Sequence, residues 1–316
     1  MKIFELSQNA KKNLFYYGII AVSLAFLLPL ILLSFYNHPG ADDFSYSFEA
    51  RNVWVSTHSI FAVLAQAVKT SIWYWHNWQG LYSSAFLLAL QPSIFGESAY
   101  AFAGIFILLV LYAATVFFAW YMLHRRLGFA ALPSVALGFL VCLIEVQWMP
   151  DCAQGVYWFN GAGNYTFFYG VLLVLAVACT SVGFGNNYKN DNASKNTLQG
   201  INWCKFIVKI VLTAILAFIL SGGNHVTAFL GFLMVLGIAV YGFWFKKMPL
   251  LAGNILPLIA SAFGLVLNFK APGTAVRQAQ FASSGMSFAK TIVNGEALYV
   301  NLQDSIDIIS ALRCDD

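Results

Sequence analysis

The sequence predicts an all-α fold: a polytopic transmembrane helical bundle of about seven spans, with interfacial helices in a long first outer loop. Three observations predict it. The chain has 316 residues, 60% of them apolar and 9% charged, with a mean hydropathy of +0.71. Soluble domains are roughly 45–50% apolar and about 25% charged. A soluble fold of this size has no means of hiding so much apolar surface behind so little charge. Second, seven runs approach the roughly 20 residues needed to cross the hydrocarbon layer. Third, these runs are too long and continuous for barrel strands, and a helix satisfies its own backbone in lipid. A soluble enzyme and a disordered chain are excluded. A net charge of +4 spread without a basic stripe excludes a nucleic-acid binder.

The elements follow in order. Residues 14–36 form the first span. Its apolar run exceeds the 7–15 residues of a signal peptide and no small-x-small pattern precedes Asn37, so it reads as a retained anchor. Residues 37–98 form a loop far longer than a connector needs, opening on a Pro39-Gly40 turn signal and Asp42-Asp43. Within it, Val53, Ile60, Leu64, Val68, Ile72 and Trp75 recur near helical spacing, which predicts one helix over residues 53–78. Its Trp54, Trp73, Tyr74, Trp75 and Trp78 suit the headgroup layer, and aromatic rings also stack on sugars. Residues 82–90 are apolar but too short to cross and read as a helix lying at, or dipping into, the interface. Further spans are predicted at 99–123, 129–147, 165–184, 206–220, 226–245 and 250–269. Residues 185–205 read as a cytoplasmic polar loop and 270–316 as an outer tail, all within one membrane domain, 1–316.

Positive residues set the orientation. The pairs Lys11-Lys12, Arg125-Arg126 and Lys246-Lys247 each end a span on the same side, and that side holds eleven of the seventeen basic residues. The topology is N-in and C-out. The acids crowd the opposite side: only Glu5 and Asp191 fall inside, and Glu145 lies near the outer end of its span. Acids weigh little in topology, so either outer-face chemistry or the solvation of longer loops explains the skew.

Asp42 and Asp43 are the leading catalytic candidates. Neighbouring acids at a span mouth repel each other and cost solvation. One reading gives a general base acting on a hydroxyl, the other a pair that opens a short helix. Either acid with waters offers a site for a divalent cation; no His-Glu-x-x-His or Cys-x-x-Cys supports zinc. His38 lies four residues before Asp42, and His225 opens a span at its outer end. Arg277, beyond Pro272-Gly273, offers a planar fork for phosphate, whereas Lys270 at a span end suits snorkelling. The five cysteines show no framework, and no phosphate loop points to ATP.

Asp42-Asp43-Phe44-Ser45-Tyr46, Asn77-Trp78-Gln79-Gly80-Leu81-Tyr82-Ser83, Tyr157-Trp158-Phe159-Asn160-Gly161, Gly222-Gly223-Asn224 and Pro272-Gly273 through Arg277 carry a resemblance. With the single span that precedes the acids, they resemble the GT-C class of integral-membrane glycosyltransferases, through a bacterial GT-C-like polytopic membrane family of unknown function. The resemblance implies that Asp42 or Asp43 is the base or metal-linked residue. It also implies a polyprenyl-phosphate-linked sugar as donor and a cell-envelope glycan or lipid as acceptor, in or on the bilayer of the cell membrane. Its motifs contribute the substrate-binding candidates Tyr46, Trp78, Trp158, Asn160 and Asn224 beside His38, His225 and Arg277. Thr274 departs from the asparagine expected after Pro-Gly. Members of the class are longer, so the end at Leu312-Arg313-Cys314-Asp315-Asp316 reads as a truncation. The rival classes are a transporter or flippase, which would place charges at span centres and repeat its helices, and a non-catalytic membrane protein.

Overall fold

The structure, a computed structural model, describes residues 7–182 and 202–282. All regular structure among the described residues is helical. The chain is a multi-pass helical membrane protein: six helices are long and apolar enough to cross a bilayer. These are α1 (Gln8–Ser34), a helix over Glu97–Arg126 that contains α5 (Ala101–Trp120), a helix over Phe159–Val182 that contains α8 (Phe168–Val182), α9 (Trp203–Ser221), α10 (His225–Trp244) and α11 (Met248–Phe269). The predicted run at 129–147 is α6 (Ala131–Gln147), apolar but only 17 residues long. A helix of that length rises about 25 Å against a hydrocarbon core of about 30 Å. The polar loop at 185–205 and the outer tail lie largely outside the described residues.

Paired contacts fix the directions. Gly138 on α6 lies against Val116 on α5 and Cys142 against Tyr112, so these two helices run antiparallel. Ser23 on α1 donates to the Phe139 carbonyl at 2.8 Å, and Leu27, Leu30 and Ile31 pack with Cys142 and Val146, so α1 and α6 run parallel. Lys11-Lys12, Arg125-Arg126 and Lys246-Lys247 therefore gather at one end of the bundle. Asp42, Asn160, Asn224 and Asn268 gather at the other.

One expectation needs correction in the first loop. The single helix over 53–78 is two helices, α2 (Asp42–Thr57) and α3 (Ile60–Asn77). His58 takes a left-handed conformation (φ 50°) that ends α2, and the Ser59 hydroxyl accepts from the Ala62 N–H to start α3. Asparagine, aspartate and histidine tolerate that conformation better than most residues, and serine is a strong N-cap. The short helix α4 (Tyr82–Ala89), expected at or dipping into the interface, is buried on one face. Its Ala85 and Leu88 pack with Tyr46, Tyr100, Ile107, Phe159 and Ala162 into a core directly beneath the acidic motif.

The loop is also locked onto the far end of the chain. A methyl group on Gly80 would stand 1.7 Å from the Asn268 carbonyl oxygen at the end of α11, so only glycine permits this approach. The Trp75 indole N–H donates to the Leu267 carbonyl at 3.0 Å. A final helix, α12 (Pro272–Ala282), then turns back across α3.

Candidate functional site

The acidic pair opens α2, with Ala41 in the N-cap position and both carboxylates in the first turn, where the helix dipole favours them. Successive helical residues diverge by about 100°, and the two acids have different surroundings as a result. Asp43 is 2% exposed. Its Oδ1 accepts from the Asn160 backbone N–H at 3.0 Å; its Oδ2 accepts from the Gly40 N–H at 3.2 Å and from the Tyr100 hydroxyl. Burial pushes the Asp43 carboxyl above the usual carboxylate range. The three donors pull it back only in part, and the charge of Asp42 adds to the rise. Asp42 is exposed, and its Oδ2 accepts from the Asn160 side-chain amide at 3.0 Å.

Asn160 thus addresses both acids, one through its backbone and one through its side chain. It sits in α7 (Phe159–Ala162), a single turn between two π-helical turns, Ala153–Tyr157 and Gly163–Phe167. Wide turns of this kind recur at functional sites. Three bonds place this segment. The Trp158 indole donates to the Gly40 carbonyl (3.2 Å), the Asn37 amide donates to the Tyr157 carbonyl (2.7 Å), and the Phe159 N–H donates to the Tyr100 hydroxyl (2.9 Å). A chain of amides continues inward. Asn164 donates to Asn160 Oδ1 at 2.8 Å and accepts from Ser84 at 2.6 Å. Asn224 caps α10 through the Thr227 N–H (3.0 Å) and donates to the Asn164 carbonyl.

On the other side of Asp42, Tyr46 and Tyr74 stack at 4.0 Å between ring centres. The Tyr46 hydroxyl accepts from Gln79 Nε2 at 2.9 Å, and Gln79 Oε1 accepts from Arg277 on α12. The Arg277 guanidinium also lies 5.7 Å over the Trp78 ring. Burial raises the Tyr46 phenol first, then its neighbour Tyr74; Asp42 raises it further while Arg277 lowers it. Tyr74 is pushed up to about 12 by burial and by the charge of Asp42. Tyr46 is thus linked through Gln79 to the Arg277 guanidinium and lies about one helical turn from Asp42 on α2. The ring of groups closes at His225, whose imidazole stacks on Phe269 at 4.9 Å and feels the charge of Arg277.

Nine of the ten predicted residues meet in this ring: Asp42, Asp43, Tyr46, Trp78, Trp158, Asn160, Asn224, His225 and Arg277. His38 stands apart, its Nδ1 3.2 Å from Glu97 Oε1 in an exposed pair. Lys270 is exposed at the end of α11, as snorkelling requires. Cys142, Cys152, Cys179 and Cys204 are free thiols, and Cys314 lies outside the described residues. Tyr100, Asn164, Gln79 and Gln91 are the members missed as site residues. Gln91, fully buried, donates to the Asp43 carbonyl. Tyr100 lies at the head of an apolar run and carries no polar signal in sequence; Asn164 lies in an amide-rich loop whose composition was the available clue.

The residues fit a divalent cation poorly. Both Asp43 oxygens are occupied by donors, which leaves the free oxygen of Asp42. Among the described residues no three His, Cys, Asp or Glu side chains come together.

Comparison with protein-family models, curated proteins and solved structures returns no match to this chain. What the fold defines is a multi-pass helical membrane protein whose polar groups converge at one end of the bundle.

Proposed function

We propose that the chain is an integral-membrane glycosyltransferase of the GT-C type, moving a sugar from a polyprenyl-phosphate donor to an envelope glycan or lipid acceptor. The single observation that carries this reading is the arrangement around Tyr46. An exposed carboxylate, Asp42, is aimed by the Asn160 amide, and a guanidinium, Arg277, is tied through Gln79 to the Tyr46 hydroxyl. In this reading Asp42 takes the proton from an acceptor hydroxyl. The acceptor oxygen bonds to the anomeric carbon, and the bond from that carbon to the phosphate oxygen breaks. Its electron pair leaves with the polyprenyl phosphate, whose charge Arg277 meets. Asp43 is a positioning residue that fixes Asn160. No step is routed through a metal ion.

Topology supports the same reading. Seven crossings, with α6 as the shortest, alternate direction so that the three basic pairs lie opposite the acids. The positive-inside rule then puts the N-terminus inside and Asp42 on the extracytoplasmic face of the cell membrane. Among the described residues the span centres carry no cluster of charges of the kind a transporter uses; Glu145, near the end of α6, is tied to two hydroxyls.

The test is reconstitution in vesicles with a mixture of polyprenyl-phosphate sugars and envelope lipids. General-base catalysis contributes about 10²–10⁴-fold, so Asp42→Asn should lower consumption of the donor at least 100-fold with unchanged melting. Turnover that survives this change would remove the proposed base. A cysteine at exposed Glu49, labelled by an impermeant maleimide only from inside cells, would overturn the orientation.

A further inference from the structure

Beside the supports of the acidic motif lies an apolar cavity of about 460 Å³, a size that suits a ligand. Its walls come from α4, the turns Pro92–Phe95 and Glu97–Tyr100, the head of α5, and α7. Three wall residues are immediate neighbours of the groups that hold Asp43. Leu90 precedes Gln91, which donates to the Asp43 carbonyl. Ala99 precedes Tyr100, whose hydroxyl donates to the Asp43 carboxylate, and Phe159 precedes Asn160, whose backbone N–H does the same. No wall residue lies on α12 with Arg277, or at Trp78 and Gln79, which Arg277 meets. The cavity is therefore separate from the place given to the departing phosphate.

All eight wall side chains are apolar, so water finds no partners there. The opening faces the bilayer. Phe102 and Phe106 line the cavity and are exposed, and with Leu109 they form an exposed stripe at i, i+4 and i+7. That stripe runs along a helix long and apolar enough to cross the membrane, so lipid tails cover it and the cavity is continuous with them. A tail that enters gains no hydrophobic free energy, because the bilayer is apolar too. It gains contact, since an unfilled recess leaves its lining without partner atoms. The rim carries a cation. Arg51 on α2 is exposed, and its Nη1 donates at 2.9 Å to the carbonyl of Ser93, next to the wall residue Pro92. Glu97, the acid of these turns, lies 3.2 Å from His38 Nδ1. A guanidinium whose fork suits phosphate thus stands near an opening that suits a hydrocarbon chain.

We propose that this cavity binds one acyl chain of a phospholipid from the leaflet at the acidic end, with the lipid phosphate at Arg51. The bound chain packs Leu90, Ala99 and Phe159 from the membrane side and so braces the three groups that fix Asp43. This lipid is neither donor nor acceptor in the transfer reaction, and the site stands whether or not the chain transfers a sugar.

The experiment reconstitutes the whole chain in vesicles of phosphatidylethanolamine and phosphatidylglycerol that carry a phosphatidylcholine with a diazirine in one acyl chain. After illumination, mass spectrometry locates the adducts. They are expected at half-buried Leu90 and buried Phe159 as well as at exposed Leu109, the reference for bulk lipid. Ala99→Trp fills the cavity and should lose the adducts at Leu90 and Phe159 while keeping the one at Leu109. Ala99→Leu, a smaller filler that serves where tryptophan prevents folding, should reduce them. Arg51→Gln should lower labelling of Leu90 by the phospholipid several-fold and leave labelling by a diazirine fatty alcohol, which has no phosphate, unchanged. Phospholipid added to the chain in detergent should raise the melting temperature of the wild type more than that of either filled variant. Adducts confined to Leu109 would overturn the site, as would adducts at Leu90 and Phe159 that neither filler alters. Arg51→Gln labelled like the wild type would overturn the placement of the phosphate. Displacement of the label by farnesyl phosphate but not by unlabelled phospholipid would make a prenyl chain the occupant and overturn the proposal.

Discussion

Replacing Asp43 with alanine should cost far more stability than replacing Asp42, although the two are neighbours and chemically identical. Asp43 accepts from the Tyr100 hydroxyl and from the backbone N–H groups of Asn160 and Gly40. Gly40 is half-exposed and recruits water when its acceptor disappears. Tyr100 is fully buried and Asn160 only 8% exposed, so two donors are stranded. A stranded buried donor costs about 1–3 kcal/mol, and removing the burial cost of the carboxylate returns part of that. The net loss is on the order of 3 kcal/mol, which for a chain of this size corresponds to roughly 6–12 °C in melting temperature. The molecule supplies its own reporter, since Cys142 and Cys179 are free thiols with no exposure. A thiol-reactive dye reports their release during heating. Asp42→Ala, which removes one bond at an exposed site, should melt with the wild type. Asp43→Asn, keeping one acceptor oxygen, should fall between. If Asp43→Ala and Asp42→Ala melt together, the assignment of a buried positioning acid and an exposed reactive one is wrong.

Three further outcomes are expected. The raised Asp43 carboxyl means that the folded chain binds this proton more readily than the unfolded one. Its contribution is full below the ordinary carboxylate range and lost as pH rises through the raised value, so the melting advantage of wild type over Asp43→Asn should be larger near about pH 4 than near about pH 7; the opposite slope would show that the donors outweigh burial. Gly80→Ala, whose methyl meets the Asn268 backbone, should prevent folded expression, whereas Gly237→Ala, with open space around it, should express and melt normally. Glu145 accepts from Tyr169 at 2.6 Å and from Thr115 at 3.1 Å; interhelical bonds in membranes average about 0.6 kcal/mol, so a cycle of Glu145→Gln with Tyr169→Phe should show coupling of about that size, and strict additivity would refute the contact.

The spans were legible because lipid imposes a rule on composition that few residues can break. Every predicted run overlaps a helix, from residues 14–36 onto α1 to 250–269 onto α11. The break between α2 and α3 was not legible, because Ser56 to Ser59 carry neither proline nor glycine and the apolar spacing continues across them. That break depends on one backbone conformation at His58. Burial of α4 was hidden for a different reason. An apolar octet looks the same whether lipid or Tyr100, Ile107 and Phe159 cover it.

The acids show where sequence reasoning stops and geometry begins. Composition and position marked Asp42 and Asp43 as a pair, and nothing in the sequence ranked them. An extended backbone would also have pointed them apart. The helix start does something more specific: it places one carboxylate among Tyr100, Gly40 and Asn160 and leaves the other outside, still within reach of the Asn160 amide. The buried acid thereby fixes the residue that aims the exposed one. The pairing has geometric sense, because a carboxylate in the first turn of a helix is only as well aimed as the groups that hold it. It also accounts for the amide at 160, which holds Asp42 directly, and for Asn164, which in turn holds Asn160. The Asn160 amide donates to the Asp42 carboxylate without supplying a positive charge, so it aims the side chain without drawing it into an ion pair.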